Sequence, residues 1–414
     1  MEIRPILSAL LRSKTGAVLV ALQVAISLGI LANALHIVNL RQAVAARPSG
    51  MRDESALMYV QLRHLRSGDH NEQLAQQKAE AATLRAVAGV TSLAFTNQMP
   101  MTRSGSTNSV AASRKQLNQS AGASYYFTPD SLVKTMGLQL VEGRDFRPDE
   151  AIEIDNDKDS DEASAPRAII ITRALGKKVW PEASSYVGKT LFFGTGEDAQ
   201  GGPVVGVVEH LQSQGAEVAE RGDYSTIVPM RLTNGFGTTY VMRVEAGQLE
   251  RVMKEAEAAL LRNAADPMIV RVKTVANDRI ERYRADNALS WMLITVSALL
   301  LLITASGIVG MASLWVTQRR KQIGVRRALG ARRVDILRYF ITENFMITSV
   351  GVFAGVLLAI GLNQLLVSQL EMAKLPLNYL LTGAGVFWAL GICSVYGPAW
   401  RAATISPATA TRST

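Results

Sequence analysis

Four apolar runs constrain this chain more than anything else in it: Gly16–Leu40, Ala288–Trp315, Ile341–Val367 and Leu377–Ala399. Each reaches the roughly 20 residues that a helix needs to cross bilayer hydrocarbon. A lipid-exposed segment has to satisfy its own backbone N–H and C=O groups, so the runs predict four transmembrane helices. Ala43-Val44-Ala45 resembles a signal-peptidase site, but the first run is longer than a signal peptide's apolar core and reads as a retained span.

Charge orients the spans. Met1–Thr15 carries Arg4, Arg12 and Lys14. Thr317–Phe340 carries Arg319, Arg320, Lys321, Arg326, Arg327, Arg332, Arg333 and Arg338 against one acid, Asp335. Arg401 and Arg412 follow the last run. Lys and Arg are retained on the cytoplasmic side, so both ends and the basic segment are expected inside the cell. The expected division is a cytoplasmic N-terminus (1–15), a first span (16–40), an outer domain (41–287), a second span (288–315), a cytoplasmic segment (316–340), two further spans (341–367 and 377–399) and a cytoplasmic tail (400–414). The fold class is an α+β membrane protein, with a large mixed α/β extracytoplasmic domain inserted between the first and second helices.

The mean hydropathy of +0.13 averages very apolar spans with a polar middle. The net charge of +9 is local to the three inner segments. It reports topology, and no basic-aromatic pattern points to nucleic acid. The lone Cys393 precludes an intrachain disulfide, and His36, His64, His70 and His210 show no metal-ligand spacing. Gly188-Lys189-Thr190 resembles the end of a P-loop, but that pattern needs a glycine where Ala183 stands; a strand start fits better. No GxSxG or HExxH frames a hydrolase site.

In the middle region, strand composition appears at 56–63, 90–96, 122–130, 137–146, 168–172, 187–193, 204–209, 226–230, 239–245 and 268–272. Residues 71–87 and 248–263 read as helices, and a further helix start falls at Thr128 or Asp130. The acidic stretch Glu150–Pro166 reads as a mobile surface loop. Val275–Asn287 reads as a helix running without a break into the second span.

The spans carry Gly307 and Gly310, then Gly351 and Gly355 as GxxxG, then Gly383, Gly391 and Gly397, which let helices approach closely. Glu343 is the clear intramembrane acid. It is either a functional group or a carboxylate partnered by the nearby arginines. There is no row of acids, no proton-relay histidine and no pair of inverted halves, so nothing suggests a polar substrate path. The basic segment reads as a short helix, a stop at Gly330 and a second helix. Val325, Ala328 and Leu329 fall on one face, with Ile323, Arg326 and Arg327 on the other.

Arg319–Asn344 (RRKQIGVRRALGARRVDILRYFITEN) resembles the cytoplasmic segment of MacB/FtsX-type permeases of ABC transporters. Tyr126-Phe127 with Gly137-Leu138, the EGRDF run at 142–146, Val187-Gly188-Lys189 and the VVGVV run at 204–208 resemble the MacB-like periplasmic core. Pro398-Ala399-Trp400-Arg401-Ala402 with Pro407-Ala408 resembles the family's ending. The resemblance implies an inner-membrane subunit without catalytic residue, cofactor or metal of its own, ATP and Mg being bound by a separate ATPase dimer. It implies contact with that ATPase through Gln322, Ile323, Gly324, Arg326, Arg327, Leu329 and Gly330. Two permease subunits pair, as a homodimer or a heterodimer. Hydrolysis below moves the outer domains by mechanotransmission, and in Gram-negative relatives a periplasmic adaptor and an outer-membrane channel join the efflux complex. Gln322 stands where the family usually has an acid, which fits pairing with a non-identical permease. Membrane lipid is a partner; nucleic acid is not. A lipoprotein-releasing permease of the LolC/LolE kind is the neighbouring alternative. An FtsX-like regulator of cell-wall hydrolases and a membrane-anchored binding protein are the others.

Overall fold

The computed structural model describes residues 14–66, 68–155, 165–217, 220–233, 237–370 and 373–404. The expectations for 1–13, for 156–164 within the acidic stretch and for the tail with Pro407, Ala408 and Arg412 lie outside the described residues. The chain forms two compact units, a helical one from 1–45 and 286–414 and an α/β one from 46–285. Helix α1 (Lys14–Ala45) belongs to the first.

The α/β unit begins with β1 (Leu57–His64), α2 (His70–Arg85) and β2 (Val90–Thr96), and it ends with β12 (Thr238–Val244), α5 (Leu249–Asn263) and β13 (Met268–Thr274). These strands form one antiparallel sheet in the order β13-β1-β12-β2. With their two helices they make a βαββαβ, ferredoxin-like layer whose middle connection is greatly enlarged. Alternation explains the layer. Met58, Val60 and Leu62 of β1 and Tyr240, Met242 and Val244 of β12 point to one face, where Ala81 and Leu84 of α2 and Val252, Ala256 and Leu260 of α5 cover them. Asp69 and Glu72 start α2 with a reciprocal capping box. The fully buried Tyr240 donates to Glu80 at 2.8 Å, and Nε2 of His64 lies 2.8 Å from the same carboxylate. Burial, then the adjacent Glu80 charge, pushes the Tyr240 hydroxyl well above its ordinary range, so it remains a donor.

The enlarged connection holds β3 (Thr107–Ala111), β4 (Ala121–Phe127), α3 (Leu132–Met136), β5 (Leu140–Gly143), β6 (Ile152–Asp155), β7 (Ile169–Thr172), α4 (Arg173–Val179), β8 (Thr190–Phe193), β9 (Gln200–Val208), β10 (Ser225–Val228) and β11 (Met230–Thr233). Strands β9, β7, β10, β4, β3 and β8 pair in turn, and β8 returns to β9, closing a ring. Val110, Ala123, Ile169, Ile171, Leu191 and Val207 fill it. β5 extends the edge beside the second half of β9.

Three local expectations need correction. Part of the acidic stretch is ordered: Pro148–Glu150 forms a 3-10 turn and β6 pairs in parallel with β11. The run at 226–230 is two strands, because Pro229 has no N–H to continue the ladder and the chain leaves β4 and β7 to join β6. The helix after β4 starts at neither Thr128 nor Asp130. The Asp130 carboxylate is taken by the Phe95 N–H and by Arg85, so Ser131 caps α3 instead by accepting from the Lys134 N–H. Strand β3 and helix α4 are additions that the residue pattern did not announce.

The helical unit continues with α6 (Val275–Gln318), which starts in the α/β unit, then α7 (Arg320–Ala328), α8 (Arg333–Leu370) and α9 (Leu377–Ala403). Helices α1, α6, α8 and α9 are long and apolar enough to cross a membrane. α1 is the central one. A Cβ on Gly351 would lie 2.7 Å from the Ala21 carbonyl, and one on Gly355 would lie 3.0 Å from that of Ala25, so the GxxxG of α8 seats α1 backbone to backbone. Asn33 of α1 also donates to the Ala359 carbonyl at 3.1 Å. Only 17% of the apolar window of α6 is buried within the chain, against 56% for α1. Its polar contacts with its neighbours include Thr304 with Ser27, the Ile303 carbonyl with Gln23 and an ion pair of Asp286 with Arg41, and toward its C-terminal end Ile308, Ala312 and Trp315 are buried in the cluster around α1.

Two alanine substitutions in the same helix separate packing from propensity. Gly351→Ala meets the Ala21 carbonyl and should lower the melting temperature of the detergent-solubilised chain. At Gly361 an added Cβ meets nothing within 4 Å, so Gly361→Ala should leave it unchanged or raise stability by up to about 1 kcal/mol. Equal effects at both positions would contradict the close contact of α1 with α8.

Candidate functional site

The basic segment folds into an elbow. α6 passes into α7 with one distorted residue, Arg319, whose N–H still reaches the Trp315 carbonyl at 3.0 Å. α7 then stops sharply. Gly330 sits at φ 96°, its N–H reaches the Arg327 carbonyl at 3.2 Å, and the Ala331 N–H reaches that of Arg326 at 3.0 Å. This is a Schellman stop, and it needs a residue that tolerates positive φ. The Arg327 guanidinium closes it further by donating to the Ala331 carbonyl. α8 restarts three residues later, with Asp335 accepting from the Arg332 N–H at 3.0 Å. The one acid of the segment is thus used to cap the next helix.

One ion pair pins the elbow from inside. Arg319 Nη1 donates to both carboxylate oxygens of Glu343, at 2.9 and 2.8 Å, and to the Tyr339 hydroxyl at 3.3 Å. Glu343 is 1% exposed and Arg319 17%. Glu343 is therefore a partnered carboxylate that holds the C-terminal end of α6 to α8. Arg326 lies 5.1 Å above the Tyr339 ring, a cation–π contact across the same corner. Arg319, Gln322, Ile323, Arg326, Ile336, Tyr339 and Phe340 line the small cleft between them.

The predicted contact residues separate into two groups. Ile323 is 5% exposed and shares a buried cluster with Ile336 and Phe340; Gly324 is buried beside it. These two face inward, packed beneath α7. Gln322, Arg326, Leu329 and Gly330 are exposed, and Arg327 is half-buried over the helix stop. The sequence pattern placed Val325, Ala328 and Leu329 together, and that face is the outward one: Val325 is 52% and Leu329 82% exposed. Val334, 58% exposed at the start of α8, is a further apolar residue on the elbow. Arg320, Lys321, Arg326, Arg332, Arg333 and Arg338 are exposed alongside. The elbow thus offers exposed apolar side chains among cations on a backbone held by a helix stop, a cap and a buried ion pair.

Elsewhere the chain offers less. A cleft of about 400 Å³ between α2 and α5 has a floor that includes Ala75, Ala79, Leu260 and Met268, with Arg66, Glu72 and Asp266 among its charged residues. Among the described residues no three His, Cys, Asp or Glu side chains come together as a metal site.

Both units resemble proteins of known family. Residues 22–274 match the model for a MacB-like periplasmic core domain, and residues 294–407 match that for an FtsX-like permease C-terminal region. A pyoverdine export ATP-binding/permease protein, PvdT, of Pseudomonas syringae pv. syringae is 37% identical over 131 residues, covering 31% of this chain and 19% of that protein. A macrolide export ATP-binding/permease protein, MacB, of Agrobacterium fabrum is 25% identical over 338 residues, covering 79% of this chain and 49% of that protein. The MacB protein of Syntrophobacter fumaroxidans is 28% identical over 203 residues, 47% of this chain and 28% of its own length. The chain spans between about a fifth and a half of the length of these relatives. With the core model alone matching more than half of the chain, and the elbow falling inside the second match, this protein belongs to the MacB/FtsX family of ABC-transporter permeases.

Proposed function

We propose that the chain is the membrane subunit of an ATP-driven export complex, and that the elbow is where a separate ABC ATPase pushes on it. The carrying observation is the exposed pair Val325 and Leu329 on a helix whose position is fixed by Arg319–Glu343 and by the stop at Gly330. Exposed apolar side chains on a mobile loop would yield under load. On a short pinned helix they can transmit it. Gln322, Arg326 and Arg327 flank this contact, and the inward Ile323 and Gly324 hold it in place. In this reading the ATP-binding function in its relatives' names is supplied by the ATPase partner, which also holds the Mg ion.

In this reading the four apolar helices lie in the inner membrane, both termini are cytoplasmic and the α/β unit stands outside. The domain limits drawn from the sequence carry over as part of the same proposal. α6 has 44 residues, which at 1.5 Å per residue is about 66 Å of unbroken helix. It can carry displacement of the elbow to the α/β unit without a substrate path between the spans. A second permease subunit, identical or not, would complete the transmembrane pair, and a periplasmic adaptor with an outer-membrane channel would receive the motion. The relatives' names favour export over lipoprotein release or hydrolase control.

Four substitutions test the elbow. Leu329→Glu should cut stimulation of the co-purified ATPase at least tenfold while the chain melts as the wild type does; unchanged stimulation would remove the docking role. Gly330→Val, strained at φ 96°, should uncouple hydrolysis from transport in reconstituted vesicles while leaving the α/β unit folded; full coupling would show that the stop is dispensable. Glu343→Gln leaves Arg319 without its anion and should destabilise the helical unit by about 3 kcal/mol or more. Arg319→Lys can reach the same two oxygens and should keep most of that stability in a detergent melt.

A further inference from the structure

The chain passes between its two units twice, after Ala45 and after Ala285. Two flexible tethers would let a displaced α6 slip against the α/β unit. We propose that Arg279 prevents this: it is a positioning residue that fastens the first turns of α6 to the segment carrying the chain into β1, so that the two move as one body. The inference rests on the export reading for its purpose, but the fastening stands on geometry alone.

Arg279 lies in the second turn of α6. Its Nε and Nη2 each donate to one oxygen of Glu54 at 2.7 Å, in the side-on fork that only a planar guanidinium provides. Its Nη1 reaches the Arg47 carbonyl at 3.2 Å. One side chain therefore binds two points on residues 47–54. Glu54 is itself fixed, since the Ser49 hydroxyl donates to its Oε1. Burial of Glu54 opposes its charge, but the bonds from Arg279 and Ser49 prevail and hold the carboxyl below its ordinary range.

The surroundings make the fastening directional. One turn later, Arg282 donates to the Gly215 and Ala216 carbonyls at 2.9 and 2.8 Å, binding α6 to a second loop of the same unit. Arg47 donates to the Glu217 carbonyl at 3.1 Å and ties that loop back to the entering segment. Val275, Asp278 and Tyr283 of α6 are 1%, 4% and 2% exposed, so these turns are embedded in the unit. Glu54 opens the single 3-10 turn that leads into β1, the strand between β13 and β12. Force along α6 thus reaches the middle of the sheet through Arg279 and Glu54, in addition to the covalent route through the edge strand β13. In the helical unit, Arg41 of α1 and Asp286 of α6 form a second arginine–carboxylate fastening.

Hydrogen exchange on the full chain, purified with its complex in lipid nanodiscs, tests this. Arg279→Gln should speed amide exchange across residues 276–285 at least tenfold and leave α5 unchanged. Arg279→Lys keeps the charge but loses the fork, and should fall between. In a complex that still hydrolyses ATP, Arg279→Gln should also abolish nucleotide-dependent changes in the exchange of β1. Unaltered exchange at 276–285, or nucleotide-dependent changes in β1 that persist in Arg279→Gln, would overturn the proposal. A wild type with no nucleotide response, in which Arg279→Gln still loosens residues 276–285, would uphold the fastening and sink the export reading instead.

Discussion

An unbroken backbone hydrogen-bond ladder through α6 is the constraint on which the rest of this molecule depends. A lipid-exposed helix cannot lose backbone partners cheaply, and α6 has no proline anywhere from Val275 to Gln318. It begins at the last strand of the α/β unit and ends at the elbow. The other spans form a body around α1, where Gly351 and Gly355 bring two backbones together and Gly383 admits Leu28. α6 enters that packing only toward its C-terminal end, through Ile308, Ala312 and Trp315, while Trp291, Leu302 and Ile303 are more than half exposed.

A rod that is weakly packed along its length must be held at its ends. Near its C-terminal end Arg319 grips Glu343 of α8, and in its second turn Arg279 grips Glu54. Both are arginine–carboxylate pairs removed from full solvent, where such bonds are stronger and less screened by salt than on a surface. Between them lie a Ser27–Thr304 bond, a Gln23 bond to a carbonyl, the Arg41–Asp286 pair and the buried Ile308, Ala312 and Trp315. This distribution suits the proposed role of α6 as an element that shifts while staying attached.

Much of this was legible from the residues. Apolar length announced the four long helices, and β2 was readable to the residue at Val90–Thr96 because alternation and Gly89 mark its limits. The continuous start of α6 followed from charged helix formers leading into an apolar run. What stayed hidden was long-range. Nothing in Gln200–Val208 says that one half pairs with β8 and the other with β5, so the closed ring and its insertion into a βαββαβ layer were out of reach. Asp130 looked like a helix cap until Phe95 and Arg85 claimed it. At the elbow, periodicity grouped Val325, Ala328 and Leu329 correctly but could not say which face is inside. The buried partners of Ile323, Ile336 and Phe340, lie beyond a helix stop, and the partner of Arg319 lies 24 residues away in α8.

The most direct test of the elbow's role is photo-crosslinking from position 329 in native membranes. A photoreactive amino acid replaces Leu329, and the adduct is identified by mass spectrometry. The account predicts a dominant adduct to an ABC ATPase, lost when nucleotide-free ATPase is stripped from the membrane. Adducts to lipid alone, with ATPase present in the same membranes, would contradict it and leave the elbow as a membrane-surface anchor.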